Sequence, residues 1–350
     1  MPQILSAANF LNAPGIILDV RSPQEYAQGH IPKAVSFPLF TDQERTEIGI
    51  CYKQQGQDPA VELGLKIVGP KLVTFVTQAK ALASDRQVGV HCWRGGMRSG
   101  SMGWLLETAG FQVQLLEGGY KAFRRWVRST LAAYRPILIL GGMTGTGKTA
   151  VLAALAELGE QVLDLEALAS NRGSSYGSLG LPPQPSTEQF ENLVAMQWRL
   201  FNCTHPVWIE AESRRIGCCR IPPELFQQME KAPVLQITRS HPERIAILLE
   251  VYGVESTEQL ILATQRLQKR LGGVRTQQAV KHIQTGNLAA AIALVLEYYD
   301  KTYTYDLQRR SVPIHTLDVS GCSAADSALR LVKQANALLE PESEWPLCQG

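Results

Sequence analysis

The chain is poor in the features that define several large protein classes. Its seven cysteines, Cys51, Cys92, Cys203, Cys218, Cys219, Cys322 and Cys348, contain no CxxC pair and no spacing of metal ligands. An odd, unpatterned set speaks against a disulfide framework or a thiolate zinc site and fits a reducing compartment. The adjacent Cys218–Cys219 pair and Cys51 are read as structural. Long hydrophobic runs are also missing. The longest, Leu288–Leu296, is far shorter than the roughly 20 residues of a membrane-spanning helix, so no membrane partner is expected. The opening residues MPQILSAANFL lack a basic segment and a long apolar core. No secretion signal is therefore expected, and the expected location is cytoplasmic. Internal repeats and low-complexity tracts are absent.

Net charge is small as well, +2 over 350 residues, but it is divided unevenly. Residues 1–135 carry 15 Lys+Arg against 10 Asp+Glu, giving +5, and the remainder carries 19 against 22, giving −3. A chain of this length suggests two domains, and a boundary near Tyr134–Pro136 gives 1–134 and 135–350. Short apolar runs alternate with helical stretches, which predicts parallel α/β architecture in both halves. The runs are 15–20, 87–90 and 112–116 in the first half, and 137–140, 161–165 and 207–210 in the second. A capped helix is expected over Ser256–Leu271, closed by Gly272. A further helix is expected from Lys121 to Tyr134. Its Lys121, Arg124, Arg125 and Arg128 share a face. That face is either simply solvated or a contact surface for a nucleic-acid backbone, here a candidate tRNA-binding patch.

Two loops carry chemistry. The first, His91–Ser99, reads HCWRGGMRS and follows an apolar strand. Backbone N–H groups and a helix N-terminus there form an anion cradle and lower a thiol pKa, which makes Cys92 a candidate nucleophile. Gly95 and Gly96 allow the loop to curl, and Arg94 and Arg98 add charge and paired donors. The second, Gly141–Thr149, reads GGMTGTGKT. It is a complete phosphate-binding P-loop between a strand and a helix, with Gly142, Gly145 and Gly147 shaping it. Lys148 counters phosphate charge and Thr149 is a candidate Mg²⁺ ligand. No Asn/Thr-Lys-x-Asp guanine-reading motif follows. Glu210 and Glu212, at the end of an apolar strand, are candidates for ordering Mg²⁺, with Arg214 beside them. Asp164-Leu165-Glu166 and Asn171–Ser175 are placed near the same cleft.

The spacing Cys92-x5-Arg98 resembles the cysteine phosphatase signature. The flanks resemble rhodanese domains instead: Asp19-Val20-Arg21, Glu25-Tyr26, Gly29-His30-Ile31-Pro32, and Glu117-Gly118-Gly119-Tyr120. With both loops, and with Tyr52–Gly56, Leu63-Gly64, Asn171–Ser174 and Glu210–Gly217, the whole chain resembles the tRNA 2-selenouridine synthase family. Asn171 stands where that family leads one to expect His. The resemblance implies an N-terminal rhodanese-like doubly wound parallel sheet and a C-terminal P-loop NTPase-like α/β domain with a helical C-terminal part. It implies S-geranylation of wobble 2-thiouridine from geranyl diphosphate, then exchange for selenium from selenophosphate. The acceptors would be the Lys, Glu and Gln tRNAs, a separate enzyme would supply selenophosphate, and no cofactor would be tightly bound, with Mg²⁺ a candidate. Residues Cys92, Trp93, Arg94, Gly95, Gly96, Met97 and Arg98 would form the selenophosphate loop, with selenium carried on Cys92 as a selenenyl-sulfide-type intermediate. Two other readings remain open at this level: a cysteine phosphatase fused to an NTPase, and an ATP-switched rhodanese regulatory module.

Overall fold

A computed structural model describes residues 2–308 and 312–339, so Cys348 lies outside the described residues. The chain forms two compact units, Met1–Thr130 and Leu131–Gly350. The first runs β1 (Gln3–Leu5), α1 (Ala7–Phe10), β2 (Ile16–Asp19), α2 (Pro23–Gln28), β3 (Val35–Ser36), α3 (Asp42–Gln55), α4 (Gln57–Val68), α5 (Leu72–Leu82), β4 (Gln87–His91), α6 (Met97–Thr108), β5 (Gln112–Leu116) and α7 (Gly119–Ala132). The second runs β6 (Ile137–Gly141), α8 (Lys148–Glu157), β7 (Gln161–Leu163), α9 (Leu165–Ala169), α10 (Thr187–Trp198), β8 (Val207–Glu210), β9 (Arg215–Ile216), β10 (Cys219–Arg220), α11 (Pro223–Lys231) and β11 (Val234–Thr238). It continues through α12 (His241–Tyr252), α13 (Thr257–Arg266), α14 (Gln268–Leu271), α15 (Gly273–Gln284), α16 (Leu288–Gln308), β12 (Ile314–Asp318) and α17 (Ala324–Leu339).

Each unit is built on a five-stranded sheet, ordered β1-β5-β4-β2-β3 in the first and β12-β11-β6-β8-β7 in the second. All pairings in both sheets are parallel. A parallel sheet buries both faces, so its central strands are apolar throughout rather than alternating. The strands β6 and β8 are buried at every position, and this is why they stand out in the sequence as unbroken apolar runs. The α/β expectation is met in both units.

In both sheets the strand order reverses. From β2 the chain goes to β3 on one side and later to β4 and β5 on the other. From β6 it goes toward β7 and β8 on one side and toward β11 and β12 on the other. The crevice at the carboxyl ends of strands beside such a reversal is where open α/β sheets hold ligands. Cys92 follows β4, and the Gly141–Thr149 loop follows β6.

Two elements depart from the sequence reading. Asp164 caps α9 by accepting a hydrogen bond from the Ala167 N–H at 2.7 Å, so the strand ends at Leu163 and Leu165-Glu166 are helical. The helix predicted over Ser256–Leu271 is two helices. Ser256 does cap it, accepting from Gln259 N–H at 3.2 Å. At Leu267, however, the backbone tightens to a bond onto Thr264 O and the side chain turns into the core of α12–α16. Among the described residues no helix is long and apolar enough to cross a membrane.

Candidate active sites

In the first unit β4 delivers His91 and Cys92 beside Asp19 of β2, whose register partner is His91. Gly95 has a φ of +68°, and a Cβ there would lie 2.9 Å from Gly119 N and Leu116 O. The loop therefore packs backbone against backbone on the start of α7. Tyr120 N–H donates to Cys92 O at 2.8 Å and Lys121 N–H to Trp93 O at 3.0 Å. Only glycine permits that approach. Gly96 then caps α6, whose free N–H groups face the loop.

Cys92 is buried, with its Sγ 3.2 Å from Ser99 Oγ. Burial pushes the thiol pKa up. The Ser99 hydroxyl, backbone N–H groups of Ser99 and Arg94, and the Arg98 charge outweigh it and hold the thiol below its ordinary value. Arg98 is itself fixed by Glu25, with Nη1 2.7 Å from Oε2 and Nη2 3.3 Å from Oε1. Glu25 also accepts from Ser22 N–H at 2.9 Å and so anchors Arg98 to the first turn of α2. Burial raises the Glu25 pKa, and the Arg98 hydrogen bond and charge bring it below the ordinary carboxylate value. Trp93, Arg94 and Met97 are exposed around the loop mouth.

Behind the loop lies a wholly buried cluster. Arg21 Nε donates to both Asp19 oxygens at 2.9 and 3.1 Å and Nη2 donates to Gly29 O at 2.7 Å. Its guanidinium lies 3.7 Å from the Tyr120 ring centroid. His91 Nε2 is 3.6 Å from Asp19 Oδ2, but burial drives the imidazole pKa down to about 4 despite that carboxylate. His91 is therefore neutral near pH 7, and the contact is not an ion pair.

In the second unit Gly142, Gly145 and Gly147 all have positive φ. A Cβ on Gly145 would lie 2.8 Å from Arg244 O and 3.1 Å from Leu248, so the loop packs directly on α12. Lys148 Nζ donates to Gly142 O at 2.7 Å, and Gly142 N–H donates to Tyr303 Oη at 2.6 Å. Arg244 Nε donates to Thr144 O at 2.8 Å while its other nitrogens grip Asp300 at 2.9 and 2.5 Å.

Carboxylates crowd this loop. Glu210 pairs in register with Leu140. Its Oε1 accepts from Glu166 N–H at 2.7 Å, and its buried Oε2 has no hydrogen-bond partner. Thr149 Oγ1 is 3.5 Å from Glu166 Oε2. Burial raises the Glu210 pKa well above the carboxylate range, and the Asp164 charge adds to it. Glu166 and Glu212 share a hydrogen bond. Burial raises both against the pull of Lys148, Glu212 to about 8, so Glu212 holds the proton of the pair near neutral pH.

The structure thus brings together Cys92, Arg94, Gly95, Gly96 and Arg98 in one unit, and Gly142, Gly145, Gly147, Lys148, Thr149, Glu210 and Glu212 in the other. Asp164 is nearby with its carboxylate engaged as a helix cap. Arg214 does not join them. The β9–β10 hairpin turns it outward, where it lies 5.1 Å from the Phe226 ring centroid and 3.9 Å from Glu230. On α7, Lys121, Arg125 and Arg128 are exposed and Arg124 is half-buried, opposite buried Phe123 and Val127. Asn171 is buried and holds its own turn, accepting from Gly173 N–H at 3.0 Å. Cys51 is half-buried. Sequence reasoning missed Glu25 as the anchor of Arg98, Glu166 as the partner of Glu212, and the Arg244–Asp300 brace. Glu166 had a signal, since it flanks Asp164 in a strand-end motif.

Among the described residues no group of three or more His, Cys, Asp or Glu side chains is arranged to hold a metal by itself. Thr149 and the unpartnered oxygen of Glu210 still fit Mg²⁺, which keeps several waters and substrate phosphates in its shell and needs few protein ligands.

Comparison with known proteins covers both halves of the chain. Residues 5–125 match the rhodanese-like domain and residues 135–322 match the tRNA 2-selenouridine synthase AAA domain. A tRNA 2-selenouridine synthase of Marinobacter nauticus is 36% identical over 330 residues, covering 84% of this chain and 89% of that protein. One from Bordetella bronchiseptica is 35% identical over 336 residues, covering 85% and 90%. With both halves matched and the similarity running along most of its length, the chain is an enzyme of the tRNA 2-selenouridine synthase family.

Proposed function

We propose that this enzyme acts on tRNA carrying 2-thiouridine at the wobble position and converts it to 2-selenouridine through S-geranyl-2-thiouridine. The acceptors are the Lys, Glu and Gln tRNAs, and a separate enzyme supplies the selenophosphate. The observation that carries the reading is the presence of two unlike anion loops, one with an activated thiol and one with a lysine among carboxylates. In the first step the thiocarbonyl sulfur attacks C1 of geranyl diphosphate. The S–C bond forms, the C–O bond breaks and diphosphate leaves. Lys148 and the loop N–H groups stabilise the charge that develops on diphosphate. Bound Mg²⁺, held by Thr149 and Glu210, would neutralise phosphate charge.

Alkylation matters because a thiocarbonyl sulfur is a poor leaving group, whereas geranylthiol departs readily. In the second step the Cys92 thiolate attacks the phosphorus of selenophosphate, with Arg94 and Arg98 binding the phosphoryl oxygens: the S–P bond forms, the P–Se bond breaks and selenide leaves. Selenide adds at C2 and geranylthiol departs, and water then cleaves the S–P bond, which releases phosphate and returns the thiol. The exposed Lys121, Arg125 and Arg128 offer phosphate contacts to the tRNA.

Nucleoside mass spectrometry on tRNA from a deletion strain, complemented with each variant and grown with selenite, tests the assignment. Cys92→Ala should accumulate S-geranyl tRNA and make no selenouridine, and Lys148→Ala should lose geranylation. Normal selenouridine from Cys92→Ala would remove Cys92 from the reaction.

A further inference from the structure

An apolar cleft adjoins the Gly141–Thr149 loop in the second unit, and the reaction scheme leaves it without a role. The cleft and its open mouth together hold about 490 Å³ of empty space. Thr144 of the loop forms one end. Leu248 and Tyr252 of α12 and Ala291, Ile292 and Val295 of α16 form the walls. Arg244 fixes this arrangement, because it holds the Thr144 carbonyl and Asp300 of α16 at once. The loop and the cleft are therefore one rigid construction.

The tyrosine hydroxyls on the lining are already engaged. Tyr176 Oη is 2.7 Å from Thr264 Oγ1, Tyr299 Oη accepts from Ser175 N–H at 3.2 Å, and Tyr252 Oη is 3.5 Å from Ser174 Oγ. No lysine, arginine, aspartate or glutamate lines the cleft. It offers aliphatic side chains and ring faces, and it has no charged group to read the edge of a nucleobase. A ligand that fits both ends has a phosphate head and a hydrocarbon tail.

We infer that this cleft holds the hydrocarbon chain of an allylic diphosphate whose head group sits in the Gly141–Thr149 loop, and that Ala291, Ile292 and Val295 set the chain length accepted. The inference rests on the prenyl-donor reading above. It adds where the chain lies and what limits it.

The test is direct binding to the full-length protein without tRNA, by calorimetry, using inorganic diphosphate, dimethylallyl diphosphate, geranyl diphosphate and farnesyl diphosphate. The wild type should bind geranyl diphosphate more tightly than the two smaller ligands. Filling the cleft with Ala291→Phe should weaken geranyl diphosphate by about tenfold or more, since several buried methylenes lose their place, and leave inorganic diphosphate almost unchanged. Retained diphosphate binding shows that the variant is folded. Enlarging the cleft with Ile292→Ala should raise the affinity for farnesyl relative to geranyl diphosphate. An unchanged farnesyl-to-geranyl ratio in Ile292→Ala, or undiminished geranyl binding in a folded Ala291→Phe, would overturn the cleft assignment. If Lys148→Ala still abolished geranyl diphosphate binding, the prenyl-donor reading would survive that result. A wild type that does not distinguish geranyl from inorganic diphosphate would instead overturn the prenyl-donor reading itself.

Discussion

The two units solve one problem, an anion site at the reversal of a parallel sheet, with opposite electrostatics. In the first, the two acids beside the loop each have a guanidinium partner. Arg21 answers Asp19 and Arg98 answers Glu25. Asp19, Glu25 and Cys92 are all held below their ordinary pKa values. In the second, Lys148 faces Glu166 and Glu212 with Glu210 and Asp164 close by, and Glu166, Glu210 and Glu212 are all held above. The first site has its charges balanced before substrate arrives. The second has surplus carboxylate that a proton or a divalent cation relieves, which is the arrangement expected where phosphate and Mg²⁺ arrive together.

The largest test of this contrast removes one acid from each unit. Asp19→Ala strands Arg21, which is fully buried and has one nitrogen already unpartnered. Breaking such a pair should cost about 3–5 kcal/mol. Glu212→Gln removes a carboxyl that burial disfavours as an anion, so it should be neutral or stabilising at pH 8. Hydrogen exchange on the full-length protein, read separately over β2–β4 and β6–β8, gives both numbers. Equal destabilisation of the two cores would break the comparison.

The pH response should also have opposite signs. His91 titrates near 6.5 when unfolded and near 4 when folded. The unfolded chain therefore binds the extra proton between those values, and the first unit loses stability as pH falls from about 6.5 to about 4. The term is at most roughly 3 kcal/mol. Glu212 moves the other way, from 4.5 to about 8, so the folded second unit binds the extra proton and loses stability as pH rises through that window. Protection measured from pH 4.5 to 8, corrected for intrinsic exchange rates, should fall at the acid end over β4 and at the basic end over β8. His91→Phe should flatten the first slope. Mg²⁺ with diphosphate should flatten the second.

How much of this was legible depended on sequence distance. The buried strands and both loops are local patterns, since an apolar run and a glycine-spaced turn each specify themselves over a few residues. Cys92, Arg98, Lys148, Thr149 and Glu210 could therefore be placed. The groups that tune them are remote: Glu25 lies 73 residues from Arg98, Asp300 lies 56 from Arg244, and Tyr303 lies 161 from Gly142. No spacing rule reaches that far. The outward position of Arg214 is illegible for a different reason. It sits between the strand end at Glu210 and a hairpin of two-residue strands, too short to leave a periodic signal, and that hairpin turns it away.

The finest test concerns the first loop alone. The Ser99 hydroxyl and the Ser99 backbone N–H both stabilise the Cys92 thiolate, and a substitution removes only the hydroxyl. Ser99→Ala should raise the Cys92 pKa and slow alkylation by iodoacetamide at pH 7 by about tenfold, the scale of one hydrogen bond to a charged group. The matching small change in the second loop, Thr149→Ala, should leave that rate as it was. If Ser99→Ala alkylates like the wild type, the backbone N–H groups and Arg98 alone lower the thiol. The first site would then be an anion cradle of the same backbone kind as the second, differing only in the charges around it.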